Sequence, residues 1–135
     1  MQDPPFIHDL LSAAREHLQT QVIPELEDPG LRFRTRVAAN VLAIAERELA
    51  LDSVLSKVEY GRLIALLGEE WKEIPLERLT QDLRDRVAAG DFDQGPEHQA
   101  LIAHLIQTAV EKLQIANPRY LERVQMEGEE KSRTA

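Results

Sequence analysis

The residues with the strongest chemical character are arginines in the segment 31–51. At about 100° per residue, four polar side chains of this segment fall along one edge of a helix: Arg32, Arg36, Asn40 and Arg47. Ala39, Ala43 and Ala50 share that edge, and such small residues let another backbone come close. Guanidinium groups that are drawn out of water need hydrogen-bond acceptors. The pattern therefore predicts that something acidic lies alongside this edge.

Two interpretations of this cationic edge are open. The arginines can pair within the fold, with one of four acidic residues: Glu25, Glu27, Asp28 or Glu48. Alternatively they hold a ligand phosphate or carboxylate, or an acidic patch on a partner, which helix N-termini and arginine forks both favour. Asn40 lies inside an otherwise apolar run, so we expect it to be a buried polar group that finds hydrogen bonds.

Other chemistry-bearing patterns are missing from the sequence. There is no Cys, and the four histidines, His8, His17, His98 and His104, do not fall at the i, i+4 spacing of helical metal ligands. Phosphate-binding glycine loops, the dinucleotide fingerprint and the nucleophile elbow are also absent. We therefore predict no catalytic residue, no metal site and no cofactor.

The net charge, the lack of Cys and the lack of long apolar runs indicate which partners and which cellular location to expect. The chain of 135 residues has a net charge of −8, which disfavours nucleic acid because phosphate neutralisation by Lys and Arg supplies most of that affinity. The lack of Cys suits a reducing compartment. The N-terminus has no secretory pattern, and no apolar run approaches the roughly 20 residues of a membrane span. The prediction is a cytoplasmic protein that binds neither nucleic acid nor membrane.

Apolar residues recur at helical spacing along the chain, and alternating strand patterns are absent. The spacing predicts five main helices: residues 7–23, 31–51, from Asp52 or Ser53 to 67, from Pro75 to 89, and 96–116. Residues 31–51 are apolar on nearly every side, which predicts burial on nearly every side. We therefore expect an all-α, single-domain bundle of about five helices around a central buried helix (residues 31–51). The domain would cover residues 1–125, with a flexible C-terminal tail over 126–135.

Two blocks of sequence carry a family resemblance. The block 31–49, LRFRTRVAANVLAIAEREL, closely resembles a signature of the small bacterial family DUF6285, and KLQIANPRY at 112–120 resembles the C-terminal signature of that family. With the first helix, the resemblance spans about residues 6–121. Members look to be encoded beside a kinase of the aminoglycoside-phosphotransferase type and beside acyl-CoA dehydrogenases.

The resemblance implies a non-catalytic accessory subunit. One branch of the family resembles the small partner subunit of a kinase that phosphorylates 4-hydroxyacyl-CoA, so the ATP and magnesium chemistry would belong to the large partner. The residues expected to bind that partner or an anion are Arg32, Arg36, Asn40, Arg47, Asn117 and Tyr120. A stand-alone helical module that binds an acyl-CoA or another anionic metabolite is the alternative. A homo-oligomer is compatible with the sequence, and partner identity and acyl chain stay open.

Overall fold

The computed structural model describes residues 3–134, and within that range every regular element is helical. The all-α prediction is confirmed. Six α-helices follow one another: α1 (Ile7–His17), α2 (Ile23–Glu25), α3 (Pro29–Leu67), α4 (Leu76–Ala89), α5 (Pro96–Ala116) and α6 (Pro118–Thr134). A 3₁₀ turn, Glu69–Trp71, lies between α3 and α4.

A π-helical stretch, Leu18–Val22, joins α1 to α2. Its wider hydrogen bonding shows at Ile23, whose N–H donates to the carbonyl of Leu18, five residues back. Pro24 follows directly and has no N–H to donate. The sequence predicted that the first helix ends at residue 23, and the backbone instead widens before Pro24 and remains helical to Glu25.

Helix α3 begins at an aspartate cap. One carboxylate oxygen of Asp28 accepts the Leu31 N–H at 2.8 Å, and the other accepts the Gly30 N–H at 3.3 Å. The helix then runs through Asp52 and Ser53, where the sequence predicted a new helix to start. That division is wrong, because a capping residue contributes only about 1 kcal/mol and an unbroken helix keeps every backbone group there paired.

The remaining helix ends agree with the sequence. Gly90 adopts the left-handed conformation at the end of α4, with φ of 87°, and Asn117 separates α5 from α6. Helix α6 continues to Thr134, so the predicted domain boundary at residue 125 falls inside a helix. The extent of the domain and the flexibility of residues 126–135 stay predictions.

The described chain forms two compact units, one up to Asp52 and one from Ser53 onward. In the first unit, α1 and α2 fold back along the N-terminal part of α3. Arg15 Nε and a carboxylate oxygen of Glu46 are 2.8 Å apart, and Arg32 donates to the carbonyl oxygen of Leu26. These contacts define an antiparallel helical hairpin.

The predicted burial of residues 31–51 is wrong. Within the described part of the first unit, Ala39 is the single buried residue, and several large apolar side chains of α3 are exposed. The physical reason is that a hairpin covers only one side of each helix, so a helix that is apolar all round keeps its other sides open.

The core lies in the second unit. It is formed by seven buried side chains: Leu63, Ile64, Leu67, Leu79, Leu83, Phe92 and Leu101. Trp71 packs against this cluster and is partly buried. The C-terminal third of α3 therefore fills the central position that the sequence assigned to residues 31–51.

Candidate functional site

An exposed apolar stripe runs along α3 in the first unit. Phe33, Val37 and Val41 are 66%, 47% and 56% exposed, although all three are large and hydrophobic. Their i, i+4, i+8 spacing places them one above another on a single face of the helix. We call this surface the α3 stripe. Large apolar side chains grouped in this way mark binding surfaces more often than scattered ones do.

Polar residues border the α3 stripe on both sides. By helical position, Arg34 lies on one side and Arg36 and Asn40 on the other. All three are exposed, so the expectation that Asn40 is buried is wrong. Asn40 is exposed, so water can satisfy its amide. Among residues 3–130, whose side chains the structure describes, Arg36 has no hydrogen bond or ion pair, so its guanidinium is available to an acceptor from outside the chain.

The other two arginines of the predicted cationic edge have partners in the structure. The Nε of Arg32 donates to the Leu26 carbonyl oxygen at 2.9 Å, and its Nη2 donates to the same atom. This acceptor is a backbone group and not one of the carboxylates that the sequence offered. Arg47 is half-buried and has a partner in the structure. Of the predicted edge, Arg36 and Asn40 are therefore the residues exposed to solvent, and the anion-binding role stays a prediction.

Asn117 and Tyr120 lie in the second unit, where α5 ends and α6 begins. The side-chain oxygen of Asn117 accepts the Tyr120 N–H at 3.2 Å, which caps α6. The guanidinium of Arg123 lies 5.1 Å from the centre of the Tyr120 ring, at cation–π distance. Both residues thus have a local structural role, and Tyr120 also keeps an exposed surface.

The second unit contains an open groove of about 460 Å³ between α3 and α5. Its walls and floor are formed by Arg62, Ala65, Leu66, Ala100, Ala103, His104 and Gln107. The three alanines leave the space that larger side chains would fill. Polar groups are confined to Arg62, His104 and Gln107.

A partly buried ion pair supports this groove. Arg62 Nη1 and Nη2 donate to the two carboxylate oxygens of Glu111 at 2.7 and 2.6 Å. Gln107 donates to the same carboxylate at 3.1 Å, and Arg62 also reaches the Thr108 hydroxyl at 3.2 Å. Glu111 is 6% exposed, and the adjacent Arg62 guanidinium lowers the pKa of its carboxyl group.

His104 is the second buried titratable group at the groove. It is 6% exposed, and its Nδ1 atom has no hydrogen-bond partner within the described chain. Burial and then the charge of Arg62 lower the pKa of His104, while Glu59 and Glu111 oppose that shift. The imidazole is therefore neutral at pH 7.

The sequence did not single out this polar cluster. Arg62 and Glu111 are far apart in the chain, so their contact has no local signature. One signal was present: His104 and Glu111 share the buried register of α5 with Leu101, at i+3 and i+10. Titratable residues at core positions of a helix indicate a buried polar contact.

Comparisons with known proteins give one match. A family model described as "Domain of unknown function (DUF6285)" matches residues 24–120. Searches of curated proteins and of solved structures found no match. Within residues 3–134, no three His, Asp or Glu side chains are placed to share a metal ion. The same residues contain no helix with the length and hydropathy to cross a bilayer.

Proposed function

The chain belongs to the DUF6285 family, and on that premise we propose that it is a non-catalytic subunit that docks on a kinase through the α3 stripe. The kinase we propose is of the aminoglycoside-phosphotransferase type and acts on a hydroxyacyl-CoA. Its identity rests on the resemblance of the two sequence blocks. The docking surface rests on the geometry of α3.

The exposure of Phe33, Val37 and Val41 carries the proposal. Three apolar side chains on one helix face form the kind of surface with which an amphipathic helix enters a hydrophobic groove of a partner. Burying such a side chain from full exposure is worth about 1.5–3 kcal/mol, and covering the exposed half to two-thirds of each one contributes in proportion. Burial of the whole stripe is a substantial share of the binding free energy that a stable complex needs.

The borders of the stripe indicate the charge of the partner. Arg34 and Arg36 lie on opposite sides of it and are exposed, although the whole chain carries a net charge of −8. A groove with acidic residues on its rim would complement this local positive charge and speed association. Arg36 has no acceptor among residues 3–130, so a carboxylate on the partner would supply one.

In this proposal a large catalytic subunit carries out the chemistry, and this chain contributes a binding surface. Phosphoryl transfer needs groups that hold nucleotide phosphates and magnesium. In the proposed complex those groups belong to the kinase, and this chain supplies binding area. Its effect on the kinase would be to stabilise it or to complete its active conformation.

Co-expression tests the proposal. The chain would be co-expressed with the kinase of this type encoded nearest to its gene, purified through a tag on the kinase, and assayed with a 4-hydroxyacyl-CoA. Wild type would be compared with Val37→Asp/Val41→Asp, which places two charges in the stripe. The matched control is Val54→Asp, because Val54 is an exposed valine of the same helix outside the stripe.

We expect the wild type and the Val54 variant to co-purify with the kinase, and the stripe variant to be lost or bound at least tenfold more weakly. Retention of the stripe variant would remove the α3 stripe as the docking surface. A kinase that neither retains the wild type nor changes in activity would overturn the proposed function. Saturable binding of an acyl-CoA by the isolated chain, weakened by Arg36→Ala, would favour the stand-alone binding module.

A further inference from the structure

We propose that the groove between α3 and α5 binds a neutral, largely apolar small molecule that carries a hydroxyl group. This inference is independent of the proposed function, because the groove lies in the second unit and shares no residue with the α3 stripe. Its volume of about 460 Å³ falls in the range of small-molecule sites.

The apolar walls of the groove favour a ligand that is itself mostly apolar. Ala65 on α3 faces the groove together with Ala100 and Ala103 on α5, and Leu66 adds the largest apolar surface. Methyl groups make no hydrogen bonds, so a ligand that lies between them gains most from its own carbon atoms.

The charges at the groove disfavour an ionic ligand. Arg62 is the cation of the groove lining, and Glu111 already neutralises it through two hydrogen bonds. An anion would compete with a buried carboxylate for the same guanidinium. A cation would lose water in the groove without gaining a counter-charge from Glu111, because that carboxylate already holds Arg62. Burial keeps the neighbouring His104 ring neutral. A neutral ligand meets neither obstacle.

Two nitrogen atoms indicate the polar group of the ligand. His104 Nδ1 and Arg62 Nε are both buried, and neither has a hydrogen-bond partner within the described chain. Arg62 Nε carries a hydrogen and needs an acceptor, whereas a bare Nδ1 needs a donor. A hydroxyl oxygen can act in either role. Arg62 and His104 both line the groove, but neither of these two atoms is open to solvent, so a shift of one side chain must bring its nitrogen to the ligand's hydroxyl.

Titration with 1-hexanol tests this inference. The full chain, labelled with ¹⁵N, would be titrated while the His104 ring nitrogens and the backbone amides of Ala103 and Gln107 are followed by NMR. Hexanoate and hexylammonium would serve as charged probes of equal chain length. Ala103→Leu fills the groove from α5, and Ala65→Leu fills it from α3. Ala109→Leu is the matched control, since Ala109 is exposed on α5 outside the groove.

We expect saturable shifts with 1-hexanol at these residues and dissociation constants at least tenfold higher for the two charged probes. Each groove-filling variant should weaken 1-hexanol binding at least tenfold, and Ala109→Leu should leave it unchanged. The Ala65 variant provides the result if the Ala103 variant does not fold. Shifts that do not saturate, equal binding of hexanoate, or unchanged binding in both folded groove variants would each overturn the inference.

Discussion

Arg62 and Glu111 are 49 residues apart in the chain, and their side chains meet through two N–H···O bonds of 2.7 and 2.6 Å. The two parallel bonds fix the angle between guanidinium and carboxylate, which a single contact would not do. The pair therefore ties the C-terminal part of α3 to α5 in one register. It also neutralises a carboxylate that is almost wholly buried.

Glu111→Gln should destabilise the chain by about 3 kcal/mol, because the variant leaves a partly buried guanidinium without its counter-charge. The free energy of unfolding in urea measures the effect. The double variant Arg62→Met/Glu111→Met should lose less than Glu111→Gln alone. Glu127→Gln is the control: Glu127 lies 3.9 Å from Arg123 in an exposed pair, and its change should stay within about 0.5 kcal/mol.

Stability should fall as the pH is lowered from 7.5 to 5.5, and His104 should account for part of that fall. The folded chain holds the pKa of His104 below its ordinary value of 6.5, so the unfolded chain binds more protons as the pH drops through 6.5. The stability that the neutral His104 contributes is fully present above pH 6.5. It is lost as the pH falls from 6.5 to the lower pKa of His104 in the folded chain. Urea unfolding at several pH values measures it.

His104→Leu should flatten that dependence between pH 7.5 and 5.5, and His17→Leu, at an exposed position, should leave it unchanged. An equal slope in wild type and in the His104 variant would contradict the account. Glu111 contributes at lower pH, since its depressed pKa supplies stability that is lost as the pH falls below its ordinary value of 4.5.

Asn117→Ala should cost about 1 kcal/mol, because the Tyr120 N–H at the start of α6 loses its side-chain acceptor. Asn117→Asp keeps an oxygen in the same place and should stay within a few tenths of a kcal/mol. Thermal unfolding followed by circular dichroism compares the two. Equal losses for both variants would show that the amide has a role other than capping.

Two glycines should respond oppositely to alanine. Gly61→Ala should stabilise the chain by about 0.5–1 kcal/mol, because Gly61 lies within α3 and an added Cβ meets nothing within 4 Å. Gly90→Ala should destabilise it by about 1 kcal/mol, because φ is 87° at that helix end. Urea unfolding of the two variants and the wild type measures the sign of each change in the free energy of unfolding.

The sequence predicted the helical class and most helix ends, because those depend on residues close to the ends. Gly90 and the proline at residue 96 act through their own backbone dihedrals, which no distant contact needs to supply. Asp52 and Ser53 misled the prediction for the same reason: both can cap a helix, and nothing local shows that α3 continues past them.

The exposure of residues 31–51 and the groove between α3 and α5 could not be predicted from the sequence, for a different reason. The run from Val37 to Ala45 has the composition of a covered helix, and composition does not say how many neighbours arrive to cover it. The sequence correctly placed the arginine edge on one helix. It could not predict the acceptor of Arg32, because a backbone carbonyl is present in every residue type. The contact between Arg62 and Glu111 exists only once α5 packs on α3.

The π-helical stretch Leu18–Val22 contains one residue more than an α-helix would need to cover the same turn. Deleting a single residue there would leave an ordinary α-helix, with the segments before and after it in nearly the same register. Relatives can therefore gain or lose one residue at this point at little structural cost, and we expect their chain lengths to vary here. The family match begins at residue 24, just beyond this stretch.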